Sequence, residues 1–316
     1  MKFLLCGLFA AALLSPLSVA AAEARGRAVW IWEKESYALL ESAGTAKEAI
    51  KFLKAKGITT LYLYADAYKG RSLIETKPRL YRKLIKRLKK NGMNAYALLG
   101  SWHLRTHEYV RHERRAEALA MFRRVLAYNA KAGPGERFDG VNLDIEPHML
   151  EDWETGRDGL LLGFLDLGRD IMALKTASGA ALEVGPAIPF WFDGIELDWG
   201  GSRKPVSEHV LDIYDYAALM AYRDRAAGRD GTIALSASEL AYAGKLGKKL
   251  AIGVEVTPNE IKKVSYNRLS EAEMERELAL ASKAFAGEPA FAGFVIHHYE
   301  SYRAWLDRQR EEGEKK

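Results

Sequence analysis

The chain has 316 residues, 48% hydrophobic and 28% charged, and 47 Lys and Arg against 42 Asp and Glu leave a formal charge of +5. These proportions exclude a disordered tract and any membrane span beyond the N-terminal segment; basic residues interleaved with acids, as in Arg111-His112-Glu113-Arg114-Arg115-Ala116-Glu117, read as a solvated helix face and exclude a nucleic-acid partner. The single cysteine, Cys6, excludes a disulfide framework, so stability has to come from core burial.

At the N-terminus, Lys2 precedes an apolar run over 3–14, then Ser15-Pro16-Leu17-Ser18 and Val19-Ala20-Ala21-Ala22. This is the pattern of a secretory signal over 1–22, too short and too broken for a spanning helix, so the mature chain is expected to be exported, to the periplasm or the medium. Strand-like apolar runs then alternate with amphipathic ones. Strands are expected at 28–32, 59–64, 94–99, 138–147, 182–188, 217–222, 250–256 and 291–296. Helices are expected at 46–56, 78–91, 108–132, 153–178, 206–214, 236–246, 270–285 and 301–310, several of them closed by glycine. Eight strands, each followed by a helix and apolar throughout, predict a parallel sheet closed as a single-domain (β/α)8 barrel over 23–307, with a charged tail over 308–316. An open doubly wound sheet is the alternative, but no G-x-G-x-x-G follows the first strand.

The fourth strand concentrates the chemistry. In Phe138-Asp139-Gly140-Val141-Asn142-Leu143-Asp144-Ile145-Glu146-Pro147, the apolar Val141, Leu143 and Ile145 alternate with Asn142, Asp144 and Glu146. Strand side chains change face at every residue, so the three polar groups share one side, with the two carboxyls roughly 6.5–7 Å apart along the strand. At that spacing each raises the other's proton affinity, and one of them stays protonated near neutral pH, as a general acid must. The alternative is a turn at Asp139-Gly140 with acids that only make structural hydrogen bonds.

This decapeptide resembles the signature of glycoside hydrolase family 18, the chitinases and endo-β-N-acetylglucosaminidases, in which an apolar residue precedes D-G-x-D-x-D-x-E. Phe138, Asp139, Gly140, Asp144 and Glu146 match it, whereas Asn142 stands where the family more often has Asp. Met220-Ala221-Tyr222 with Asp224 is similar to the family's M-x-Y-D/N element, interrupted by Arg223, and His297-His298-Tyr299 replaces the usual Trp of the last strand. The resemblance implies substrate-assisted retaining hydrolysis of an oligo- or polysaccharide containing N-acetylated hexosamine. Glu146 would be acid and base, Asp144 would stabilise an oxazolinium, Tyr222 would donate to the acetamido group and Asn142 would support Asp144. No cofactor is implied.

In a barrel the reactive groups collect at the C-terminal ends of the strands. Here those ends read Trp32-Glu33, Tyr64-Ala65-Asp66, Gly100-Ser101-Trp102-His103, Asp144-Ile145-Glu146, Pro189-Phe190-Trp191, Tyr222-Arg223-Asp224, Glu255 and His297-His298-Tyr299-Glu300. Aromatic rings beside carboxylates suit a sugar cleft, which makes Trp32, Tyr64, Trp102, Trp191, Asp224, Glu255 and His298 the candidate substrate-binding residues. Two further readings stay open: a retaining glycosidase using Glu146 with Glu255 as nucleophile, and a glycan-binding barrel without turnover. His297 and His298, adjacent on a strand, should face opposite ways, and with no H-E-x-x-H or Cys/His cluster no metal site is expected.

Overall fold

The computed structural model describes residues 26–314, so the secretory-signal segment lies outside the described residues. Eight parallel strands close into a barrel: β1 (Arg27–Ile31), β2 (Ile58–Tyr64), β3 (Asn94–Leu99), β4 (Gly140–Leu143), β5 (Glu183–Pro189), β8 (Tyr216–Met220), β9 (Lys249–Glu255) and β10 (Phe291–His297). Their order round the barrel follows the chain, and the seam joins β10 to β1 through Ala28 opposite Val295 and Val29 opposite Ile296. The (β/α)8 barrel expected from the alternating pattern is the observed fold.

Two cores result from the strand alternation. One side chain in two points inward, where Ala28, Trp30, Tyr62, Leu98, Ala187, Tyr216, Ala218, Ala251 and Val295 fill the barrel. The others, among them Val29, Ile31, Leu61, Leu63, Val141 and Leu143, face the helices in a second, larger apolar cluster. Trp30 and Tyr216 reach across the barrel to Asn142, so this polar inward position is satisfied without water.

The helices follow their local signals. Pro78 opens the helix Pro78–Lys90, Ser270 and Glu273 form a reciprocal capping box on Glu271–Ala284, and Gly179 closes Trp153–Ser178 in the left-handed conformation. Three features differ from the sequence reading. A helix Glu33–Glu41, burying Ser36, Tyr37, Leu39 and Leu40, directly follows β1. The expected long helix over 108–132 begins only at Arg115, because Arg111 is extended and its guanidinium is drawn 2.7 Å from Asp152, leaving two short 3-10 turns before it. A hairpin of β6 (Glu196–Trp199) and β7 (Ser202–Pro205) intervenes after β5, turned by Gly200 and Gly201, both at positive φ. That Gly-Gly pair is a hairpin signal the sequence reading passed over. The closing helix runs from Tyr299 to Glu314, so the charged C-terminal segment is helical as far as 314. Among the described residues no helix is long and apolar enough to cross a membrane.

Candidate active site

Strand β4 ends at Leu143, and the backbone N–H of Asp144 still donates to the Leu99 carbonyl at 2.7 Å. The acids therefore leave the barrel just past its C-terminal rim, while Asp139 stays at the opposite end, held by Lys89 Nζ at 2.7 Å and the Ala95 N–H at 2.9 Å. Asp139 is structural; Asp144 and Glu146 are not committed in that way.

Asp144 and Glu146 open onto a cavity of about 240 Å³ walled by Trp32, Glu33, Ser101, Trp102, His103, Thr106, His107 and Met149. Burial, reinforced by the charges of Glu146 and Glu33, pushes the Asp144 carboxyl well above its ordinary value. Burial also raises Glu146, against the opposing influence of His297. The Glu146 side chain keeps 30% of its surface exposed, so the proton it retains is accessible from the cavity.

The loop after β3 sets the tightest packing. Gly100 lies flush against Asp144, and a Cβ there would stand 2.2 Å from the Asp144 carbonyl oxygen, at a φ of +154° that a side chain disfavours. Gly100→Ala is expected to displace the acid-bearing segment and to destabilise the fold by about 2–4 kcal/mol, from strain together with overpacking. Urea denaturation would measure that loss, and a midpoint within error of the native one would refute the close approach.

The other sequence candidates are placed unequally. Trp32 and Trp102 wall the cavity, and Trp102, 64% exposed, stacks on His107 with ring centroids 4.8 Å apart. Trp191 stands one ring back, edge-on to His148 at 5.3 Å, and His148 Nε2 lies 3.5 Å from Glu146. Burial pulls the His148 imidazole down to about 4, so it faces Glu146 uncharged. Tyr222 sits just past β8; burial, with the charges of Glu255, Asp144 and Glu146, holds its hydroxyl protonated.

Several candidates do not reach the cavity wall. Tyr64 is fully buried and its hydroxyl donates to the Ala67 carbonyl at 2.8 Å, because the chain after β2 folds back over it. The Asp224 N–H donates to the Lys263 carbonyl at 2.8 Å, which ties this residue to the segment after β9, where its charge is felt by Tyr266. His298 bonds Ser301 at 3.1 Å and burial lowers its imidazole to about 4. Asn142 accepts from the Trp30 indole at 2.8 Å and donates to the Gly185 carbonyl and the Tyr216 hydroxyl; among the described residues no hydrogen bond joins it to Asp144, contrary to the supporting role expected of it. Its amide is used up inside the barrel.

Glu255 is 6% exposed, and both its oxygens are held, one by His297 Nδ1 at 2.8 Å and the other by the Thr257 N–H at 2.6 Å. Burial acts to raise its pKa, but these bonds and the His297 charge outweigh that and leave the carboxyl below its ordinary value. The sequence places its partner, His297, at the end of the last strand, where the family's Trp is replaced, and assigns it no partner. Its ring packs edge-on to Trp30 and Trp32, each at 5.9 Å, and tilted over Tyr222 at the same distance. The His297 and His298 rings are 5.0 Å apart rather than on opposite faces, since β10 ends at His297 and strand alternation ends with it. Glu33, Ser101, His103 and His297 all stood at strand ends in the sequence. Met149 and His107 carried no signal beyond their neighbourhood.

The barrel as a whole is similar to solved structures at low sequence identity. A chitinase from Chromobacterium violaceum superposes with a TM-score of 0.50 at 14% identity, covering 90% of this chain and 98% of that one. The fold is that of the glycoside hydrolase family 18 chitinases. A GH18 chitinase from Cycas revoluta, solved with (GlcNAc)4, gives 0.51 at 14% identity over 89% and 97% of the two chains. A class V chitinase from Nicotiana tobaccum, solved with NAG4, gives 0.52 at 12% identity over 90% and 97%. No family model matches the chain, and no curated protein matches it. Identity this low carries the barrel fold and leaves the chemistry to be argued from the side chains.

Proposed function

We propose that the protein is an exported glycoside hydrolase that cleaves glycans containing N-acetylated hexosamine with substrate assistance. The observation that carries this reading is the pair Asp144 and Glu146, both holding protons above their ordinary range and both open to one cavity between Trp32 and Trp102. Glu146 gives its proton to the glycosidic oxygen as the bond to the anomeric carbon breaks. The substrate's acetamido oxygen bonds to that carbon on the opposite face, closing an oxazolinium ring. Asp144 stabilises this cation, and the Tyr222 hydroxyl donates to the acetamido group. Glu146, now a base, takes a proton from water as the water opens the ring, and configuration is retained. The GlcNAc oligomers bound in the Cycas revoluta and Nicotiana tobaccum chitinases belong to the proposed substrate class.

A covalent route through Glu255 has less support, because that carboxylate already accepts from His297 and Thr257. Fluorogenic N-acetylglucosaminides of increasing length, assayed with a thiazoline mimic of the oxazolinium, separate the two routes. Substrate assistance predicts inhibition by the mimic; turnover indifferent to it and abolished by Glu255→Gln would move the nucleophile to Glu255. No turnover by a folded chain, with oligomers still bound, would leave a binding protein.

Trp102 presents an indole face beside the acids, suited to the C–H face of a sugar. Trp102→Ala is expected to raise KM about three- to tenfold with kcat nearly unchanged, the signature of lost uniform binding. Initial rates on a tetrasaccharide would show it, and an equal fall in kcat would place Trp102 in the chemical step.

A further inference from the structure

Besides Glu146, two positions bear on the charge that Asp144 meets. The one beneath, Asn142, is neutral and fully committed to Trp30, Gly185 and Tyr216 inside the barrel. The other is Glu33, the first residue of the helix after β1, which lines the same cavity as Asp144. The Ser101 hydroxyl donates to Glu33 Oε1 at 2.6 Å, and Ser101, only 4% exposed, is itself pinned where its N–H meets Thr106 Oγ1 at 2.8 Å. Ser101 follows Gly100, which leaves no room for a Cβ against Asp144, so the anchor of Glu33 is one residue from a segment packed on Asp144. Among the described residues no Lys or Arg lines the cavity, and the adjacent Lys34 is engaged 2.7 Å from Glu300.

Resting on the glycosidase reading of this cavity, we propose that Glu33 is the positioning residue for Asp144, supplying from the side the anionic neighbour that Asn142 does not supply from beneath. Glu33 raises the proton affinity of Asp144, and its charge adds to the field around a cationic oxazolinium. In agreement, Glu33 acts with Glu146 in raising the Asp144 carboxyl. The other titratable groups around the pair are Tyr222 beyond β8, His297 with Glu255 at the ends of β10 and β9, His148 beside Glu146, and His103 and His107 on the wall. All remain in place when Glu33 alone is changed.

The test is a carboxyl ¹³C NMR titration of the full chain, native against Glu33→Gln and Ser101→Ala. Loss of the Glu33 charge should lower the Asp144 titration, and loss of its anchor should lower it by less. The alkaline limb of kcat/KM should move down with it. An unmoved Asp144 titration in a folded Glu33→Gln chain overturns the assignment, and should that variant not fold, Ser101→Ala is judged by the same readout. A moved titration without turnover of any N-acetylated substrate upholds the assignment while removing the glycosidase reading.

Discussion

Glu146→Gln is expected to lower kcat by about a hundred- to ten-thousandfold, the range set by loss of a positioned general acid. The amide keeps the shape of the side chain and its place on the cavity wall, so binding of a non-hydrolysed oligosaccharide should persist. The accompanying change in stability has a defined sign. Glu146 holds its proton above the ordinary value, so the folded chain loses stability once pH exceeds the unfolded pKa of about 4.3, and the deficit grows as pH rises towards the folded pKa. Removing the ionisable group should leave thermal stability at pH 4 unaltered and raise it at pH 8. A variant that loses activity and melts earlier at pH 8 would point to a structural carboxylate.

Asn142→Asp is expected to cost stability on the same scale as Gly100→Ala, and in a pH-dependent way. The residue has no exposed surface, accepts from the Trp30 indole and donates its amide hydrogens to the Gly185 carbonyl and the Tyr216 hydroxyl. A carboxylate keeps the first bond and has no hydrogens for the other two, leaving an unpaired acceptor and a buried charge. The expected cost is about 2–4 kcal/mol at pH 8. Burial would raise the new carboxyl above its unfolded value, so the loss should shrink below about pH 4, where both states are protonated. Thermal melts at both pH values measure it; an equal loss at each would mean that packing, not charge, is responsible.

The barrel was legible because each strand carries its signal locally: apolar runs of strand length, separated by helices that open on proline or serine and close on glycine. The helix over 33–41 was not, since Glu33-Lys34-Glu35 hides its four buried residues behind charge and no break separates it from β1. At the site, the placement of acids beyond β4 follows from alternation alone. What sequence could not convey is which rim residues converge: Tyr64 and Trp32 each end a strand, yet only Trp32 meets the cavity, and the difference lies in how the following loop folds. His297 went unrecognised because its partner Glu255 is 42 residues away, a contact made only by β9 and β10 lying side by side.

The seam between β1 and β10 also fixes when, during synthesis, the molecule becomes competent. Until residues 291–297 have left the ribosome, the free edge of β1 has no partner in the barrel and the sheet stays open. His297 arrives on that last strand, bringing the ring that seals Trp30, Trp32 and Tyr222 together and receives the Glu255 carboxylate. Nascent chains arrested before 291 would thus hold both acids on a barrel whose first strand still lacks its last neighbour.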